Sequence, residues 1–510
     1  IQEQIIRLSA LSSLDNASIK ILVCLFLSFP LNAIFKRMPD HYYNFKNYYI
    51  IGVSAFYIFE ILELYSGFMT LFISSMFTYL ITKYYKSKYM PWINFIFLMS
   101  HLLLNHIEAQ FFNVYDPTKI DITGSQMVLV MKLSSFGWSY YDGLLYEKDK
   151  QRFDQTLNTY QKSRVILKHP KLISFLSYCF YYPSLLTGPA FDYADYEKFI
   201  LTDLFEDVPE NKKPGRRRKR KIPKSGRIAL YKVFQGIGWA LLMVILSSKI
   251  SPEYFFTTEF QKKTLLYKIW YLYISAFFYR LRYYAVWLIA EGSCILSGIG
   301  YNGYDKQKDK FYWNRVQNID PYLFETSQNV HTGFEAWNMN TNKWLKNYVY
   351  LRTVVKRDPI TFKPQPGFLS TFATFATSAM WHGTKPGYYL SFITGAFYQT
   401  CGKLFRKNLR PLFISKNGSN VSHYKIFYDI ISYITTQLAF AYLVQPFVIL
   451  DFSKSLFVWR QVYFFIHFSI LITIFVFSGP FAKPIIKTLK QYHMQDTTIE
   501  TKKPQEMVKE

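Results

Sequence analysis

Apolar residues fall into long runs separated by short, mostly basic connectors. The runs lie at roughly 19–35, 49–66, 68–84, 91–106, 125–141, 171–188, 228–249, 264–280, 283–300, 367–382, 387–403, 424–449 and 456–478. A hydrocarbon core of about 30 Å is crossed by about 20 apolar helical residues. Some runs are short or interrupted, so about eleven true spans are expected, the rest being re-entrant or paired half-helices. Open sheet edges cannot be satisfied in lipid, and the period-2 alternation of a barrel is absent. The pattern predicts an all-α, polytopic integral membrane protein. It forms a single membrane-embedded domain over 1–510, with no internal repeat and about eleven transmembrane helices around a central chamber.

The connectors set the orientation. Residues 205–227 contain NKKPGRRRKRKIPKSGR, a basic loop that is hard to translocate and is expected in the cytosol. Such a loop attracts anionic lipid by about 1 kcal/mol per charge near the surface. The hydrophilic segment 301–366 and the tail 480–510 are also basic and are placed in the cytosol. Little charge precedes the first run, whereas Lys36, Arg37 and Lys46 follow it, which puts the N-terminus in the lumen. A lumenal start and a cytosolic end require an odd number of spans.

Composition agrees with a membrane chain. Half of the 510 residues are hydrophobic and a fifth are aromatic, which excludes disordered, collagen-like and disulfide-scaffold classes. The mean hydropathy of +0.01 averages apolar runs with basic connectors. Lys and Arg number 60 against 34 Asp and Glu, a net charge of +26. In a soluble protein that would suggest nucleic acid. On a polytopic chain it points to cytosolic loops and the anionic leaflet, with no nucleic-acid partner. Cys24, Cys179, Cys294 and Cys401 lie in or beside apolar runs without CxxC spacing, so they read as reduced packing residues. The chain opens on Ile1 with no cleavable signal peptide, which suggests a piece of a longer protein.

Residues 332–352 read TGFEAWNMNTNKWLKNYVYLR. Thr332 and Glu335 have capping-box spacing. A helix starting there would align Asn338, Thr341, Asn342 and Leu345 beside an apolar face of Trp337, Trp344, Tyr348 and Leu351. This is either a loop helix lying on lipid or one wall of a polar chamber. Further on, STFATFATSAM leads into Trp381-His382-Gly383. An ionisable group at membrane depth is expensive and suggests function, and an imidazole titrates near neutrality. A structurally hydrogen-bonded histidine is the alternative. Asp142 in WSYYDG and Glu291 in WLIAEGSC interrupt apolar runs, either as a proton relay or substrate contact or as ties between helices. Asp192 and Asp195 follow a Gly-Pro break and read as an acidic turn. Phosphate-loop, GxSxG, HExxH and CxxC patterns are absent, so kinase, serine-hydrolase and zinc chemistry lack support.

EAWNMNTNKWLK and SAMWHGTKPGYYLSF together resemble the membrane-bound O-acyltransferases, in particular a fungal lysophospholipid acyltransferase branch. WSYYDG, LLTGPAFDYADY, EGSCILSGIGYNGYD and YQTCGK are similar too, and the resemblance covers roughly 20–480. It implies an endoplasmic-reticulum enzyme that moves an acyl chain from acyl-CoA to the free glycerol hydroxyl, sn-2, of a lysophospholipid. No metal or cofactor is implied, acyl-CoA being a co-substrate. The resemblance maps the catalytic histidine onto His382 and the active-site asparagine onto Asn338. Asp142, Glu291, Trp337, Asn342 and Trp381 become supporting or substrate-contact candidates. Lys343, Lys346 and Arg352 are candidate contacts for CoA phosphates. Acceptors such as a sterol, diacylglycerol or protein remain open, as does a non-catalytic lipid transporter or scramblase.

Overall fold

The computed structural model describes residues 2–12, 15–112, 120–214, 220–354, 356, 358–359, 364–415 and 417–495. Helices dominate, and the only paired strands among these residues are the two-residue Tyr304–Asp305 and Lys310–Phe311. Most of the apolar runs are helical. Three helical stretches are long and apolar enough to cross a membrane: Asn16–Phe35, Gly226–Phe256 and Lys425–Ile449. A fourth crossing results if Phe452–Gln461 and Phe465–Ser478, bent by 79°, form one span.

Two expected boundaries are corrected. The runs at 264–280 and 283–300 form one 33-residue helix, Leu265–Ser297. Arg280 and Arg282, near that boundary, lie within the continuous helix. Arg280 is neutralised inside the fold, its Nε and Nη2 donating to the two Glu325 carboxylate oxygens at 2.8 Å each. The run at 171–188 contains an eight-residue helix, Leu172–Cys179, and a short 3-10 turn, Tyr182–Ser184. Beyond it Pro189 removes a backbone donor.

The helix Thr123–Lys148 is the pillar of the fold. It is buried on all sides, which is why it carries no clear apolar stripe. Its serines satisfy themselves, with Ser134 and Ser135 donating to carbonyls one turn back. Gly226–Ser247 packs along Leu265–Ser297, and Asn32 joins that pair by donating to the Ser293 carbonyl at 2.9 Å. A second apolar core gathers around Tyr442, Trp459 and Ile466. All four cysteines are free and buried, as packing residues would be.

Candidate functional site

The Asn338 segment departs from the helix expected over 332–352. Asn329, not Thr332, caps the first helix, its side chain accepting from the Thr332 amide at 3.0 Å. That helix ends at Ala336, and a second runs from Met339 to Trp344. Asn338 sits between them in the left-handed region, φ 43° and ψ 53°. Asparagine tolerates that region better than other side-chain-bearing residues. Neighbouring chain holds it there. Asp320 donates to the Ala336 carbonyl at 3.0 Å, and Met339 donates to the Asn318 carbonyl at 2.8 Å. The Asn340 carboxamide donates to the carbonyls of Val316 and Gln317 at 3.2 Å. The Thr341 hydroxyl donates to Asn338 Oδ1 at 2.8 Å, which leaves the Asn338 NH2 group as the free donor end of that carboxamide. Asn342 donates to the Phe334 carbonyl at 3.1 Å and so joins the two short helices.

His382 ends the helix Phe368–His382. Its ring is packed by aromatic neighbours: Trp381 at 4.7 Å, Phe447 at 4.9 Å, Phe392 at 5.1 Å and Tyr388 at 5.6 Å between centroids. Among the described residues neither ring nitrogen has a hydrogen-bond partner, so a lone pair is free to take a proton. Gly383 stops the helix at φ +134°, and a Cβ there would lie 2.7 Å from Gln110 Nε2. Gly387 lets the chain approach Lys425–Ile449 so closely that a Cβ would lie 2.0 Å from the Pro446 carbonyl oxygen. His106 Nε2 donates to the Trp381 carbonyl at 3.1 Å, which fixes its tautomer.

Both motifs dock on one stripe of the central helix. The Trp381 indole donates to the Met127 carbonyl at 2.9 Å. The Thr341 hydroxyl contacts Met131 Sδ at 3.2 Å, and the Trp344 indole donates to Ser134 Oγ at 2.8 Å. Positions 127, 131 and 134 are i, i+4 and i+7, one helix face about 10 Å long. Trp344 and Trp381 stand 6.0 Å apart. From Trp337 a chain of rings runs through Phe324, Phe440, Phe334, Phe375 and Phe392 to His382, each step between 5.1 and 6.4 Å. The two motifs thus meet at Trp344 and Trp381, and a path of rings joins their flanks.

The carboxylates are ties. Asp142 accepts from Arg352 Nη1 at 2.9 Å and Nη2 at 2.5 Å, and the guanidinium lies 4.5 Å from the Trp138 ring. Trp138 and Asp142, one turn apart, grip Arg352 from the same face. Arg352, a candidate phosphate contact, thus has its charge paired with Asp142. Glu291 Oε1 pairs with Lys232 Nζ at 2.9 Å, joining two long helices. It also lies against the Asn318 backbone, the strand of chain that pins Asn338.

Lys346 is exposed. Lys343 lines a polar cavity of about 50 Å³ with Lys132, Arg164, Asp192, Asp195 and Arg315. Arg164 Nε lies 3.1 Å from Asp195 and 3.4 Å from Asp192, and Arg315 Nη1 donates to Asp195 at 2.7 Å. Asp192 also accepts from Tyr160 at 2.5 Å and Tyr348 at 3.0 Å. The acidic turn read in the sequence is thus the anchor of an ion network. Burial raises the Asp192 carboxyl above the usual range, opposed by Arg164, and burial lowers the Lys343 ammonium. Sequence reasoning missed Asn318, Asn340, Met127 and Met131. Asn340 lay within the motif, but unbroken helical spacing set it on the opposite side from Asn338.

A model of the membrane-bound O-acyltransferase family matches residues 107–445, which include Asn338, His382 and the stripe Met127–Ser134. The chain belongs to the membrane-bound O-acyltransferase family. Within that family it is 48% identical over 495 residues to a lysophospholipid acyltransferase of Saccharomyces cerevisiae, covering 96% of this chain and 78% of the yeast protein. A lysophospholipid acyltransferase of Schizosaccharomyces pombe is 40% identical, covering 91% of this chain and 86% of that protein. A human protein, membrane-bound glycerophospholipid O-acyltransferase 2, is 30% identical over 377 residues, covering 73% of this chain and 68% of its own length. The O-acyltransferase match and the two docked motifs thus coincide in the chain.

Proposed function

We propose that the chain is a lysophospholipid acyltransferase, transferring an acyl group from acyl-CoA to the free sn-2 hydroxyl of a lysophospholipid. The observation that carries this reading is the docking of the Asn338 and His382 motifs on one stripe of the central helix, in a chain whose similar relatives bear that name. His382 removes the acceptor's hydroxyl proton as its oxygen attacks the thioester carbonyl. The Asn338 NH2 group donates to the oxyanion that forms. Collapse of the tetrahedral intermediate breaks the carbon–sulfur bond, and the imidazolium returns its proton to the leaving thiolate. A positioned base contributes about 10²–10⁴ in rate. The donor is already activated, so the reaction calls for no metal or prosthetic group. Lys343 and Lys346 suit the donor's phosphates, and the aromatic walls suit an acyl chain. The enzyme is read as an endoplasmic-reticulum protein with a lumenal N-terminus, a cytosolic C-terminus and about eleven crossings, some of them short or bent helices.

Purified protein supplied with oleoyl-CoA and lysophosphatidylcholine is expected to release free CoA and form phosphatidylcholine in equal amounts. A head-group panel that includes lysophosphatidic acid and the ethanolamine and serine forms then ranks the acceptors. Movement of lipid between leaflets without consumption of acyl-CoA would replace this reading with a transporter.

A further inference from the structure

Beyond the acyl-transfer region, two helix ends meet at one edge of the fold. Pro386–Asn408 and Phe465–Ser478 finish side by side, with Phe405 and Phe477 6.1 Å apart. After the second comes a turn and the helix Ala482–Gln491. Phe481 at its start lies 6.3 Å from Phe475. At its far end the chain is stitched back to the first helix: Met494 donates to the Pro411 carbonyl at 2.8 Å, and His493 Nε2 donates to the Asn408 carbonyl at 3.3 Å. The Ala482–Gln491 helix therefore lies across the ends of two apolar helices.

Its residues divide cleanly. Lys483, Lys487 and Lys490 follow i, i+4 and i+7 spacing and are exposed, whereas Ile485, Ile486 and Leu489 are half-buried. Arg406, Lys407 and Arg410 at the adjoining helix end are exposed too. None of these six cations forms an ion pair among the described residues. The sequence offers them little: no Asp or Glu occurs from Trp381 to Tyr428 or from Phe452 to Gln495. Exposed Phe481 and Tyr492 bracket the helix, as aromatic residues do at a membrane–water interface.

We propose that this six-cation edge is a docking surface for the anionic phospholipid headgroups of the leaflet it faces. The proposal sets the two helix ends at the depth where headgroups lie. The aromatic brackets and the half-buried isoleucines and leucine suit the acyl boundary. The cations, lacking acidic neighbours, take their counter-charge from the lipid. A soluble polyanion would use the charge but leave the aromatic pair without a role. The surface is separate from His382 and Asn338 and does not rest on the acyltransferase reading. Its consequence is that acidic lipids gather at this edge, so the protein's lipid surroundings follow membrane charge.

The test uses the full chain in nanodiscs of phosphatidylcholine alone or with about one fifth phosphatidylserine. The four native cysteines are buried, so a fluorophore on Thr488→Cys reports the helix selectively. Quenching by a lipid with a nitroxide near its headgroup is expected to rise about twofold with phosphatidylserine and to fall back in about 0.5 M salt. Replacing Lys483, Lys487, Lys490, Arg406, Lys407 and Arg410 together with Gln should abolish the dependence on phosphatidylserine, while Arg in place of the four lysines should keep it. Equal quenching in both bilayers overturns the proposal, as does a phosphatidylserine effect that survives the Gln substitutions. A label equally protected by heparin in the absence of anionic lipid would assign the surface to a soluble polyanion instead.

Discussion

Asn338 and His382 lie in motifs that meet at Trp344 and Trp381 but are held by opposite means. Asn338 stands in a left-handed backbone conformation, pinned by hydrogen bonds from Asp320, Met339, Asn340 and Thr341. His382 ends an ordinary helix and is held by the faces and edges of aromatic rings. The difference fits the roles proposed for them. A carboxamide that stabilises an oxyanion works by direction, so its backbone and its oxygen are both tied. A base works by keeping a lone pair open, so its surroundings are apolar and leave its nitrogens unclaimed. A polar clamp and an apolar cage should therefore fail differently when broken.

The largest effect is expected at His382. His382→Ala should lower turnover by about 10²–10⁴ with expression and thermal stability retained. Full activity in that variant would remove the base assignment. Next comes Asn338. Asn338→Ala should lower kcat about 10²–10³-fold and also destabilise the fold, since alanine resists the left-handed region. Asn338→Gly should lose the same activity at unchanged melting temperature, because glycine accepts positive φ freely. Unequal kcat values for the two variants would show that backbone placement, not the amide, matters at 338.

A smaller loss is expected one step away. Asn340→Leu leaves the Val316 and Gln317 carbonyls unpaired, at about 1–3 kcal/mol of stability. It should lower kcat about tenfold with the acceptor KM unchanged, because the oxyanion donor drifts while substrate contacts stay. A change in KM alone would make Asn340 a substrate contact. The smallest effect belongs to the cage. Phe447→Leu removes one ring contact, worth about 0.5–1.5 kcal/mol, and should cost only a few-fold in turnover.

Much of this was legible beforehand. Small residues running into Trp-His-Gly pointed to a helix end with an ionisable group, and that is where His382 sits. Asp142 and Glu291 read as relay or substrate contact or as ties, and the structure pairs them with Arg352 and Lys232. Neither partner could be named from spacing. Arg352 lies 210 residues from Asp142, and no local periodicity spans that separation. Arg280 likewise finds its carboxylate, Glu325, 45 residues away.

Local rules failed most plainly at Asn338. Helical spacing put it in line with Thr341 and Asn342, because each residue there accepts helical geometry taken alone. The bonds that overrule that preference come from 316–320, brought in by the fold.

By itself the sequence determined that the chain is helical and membrane-embedded, and which two short motifs carry polar chemistry among apolar neighbours. Hydrophobic run length and side-chain type are properties of contiguous residues, readable in order. Only the tertiary structure decided that both motifs dock on Met127, Met131 and Ser134, that Arg352 serves Asp142, and that Asn338 turns left-handed. Those outcomes depend on hydrogen bonds and ion pairs between segments far apart in the chain. Their energies exist only once folding has brought the partners within about 3 Å.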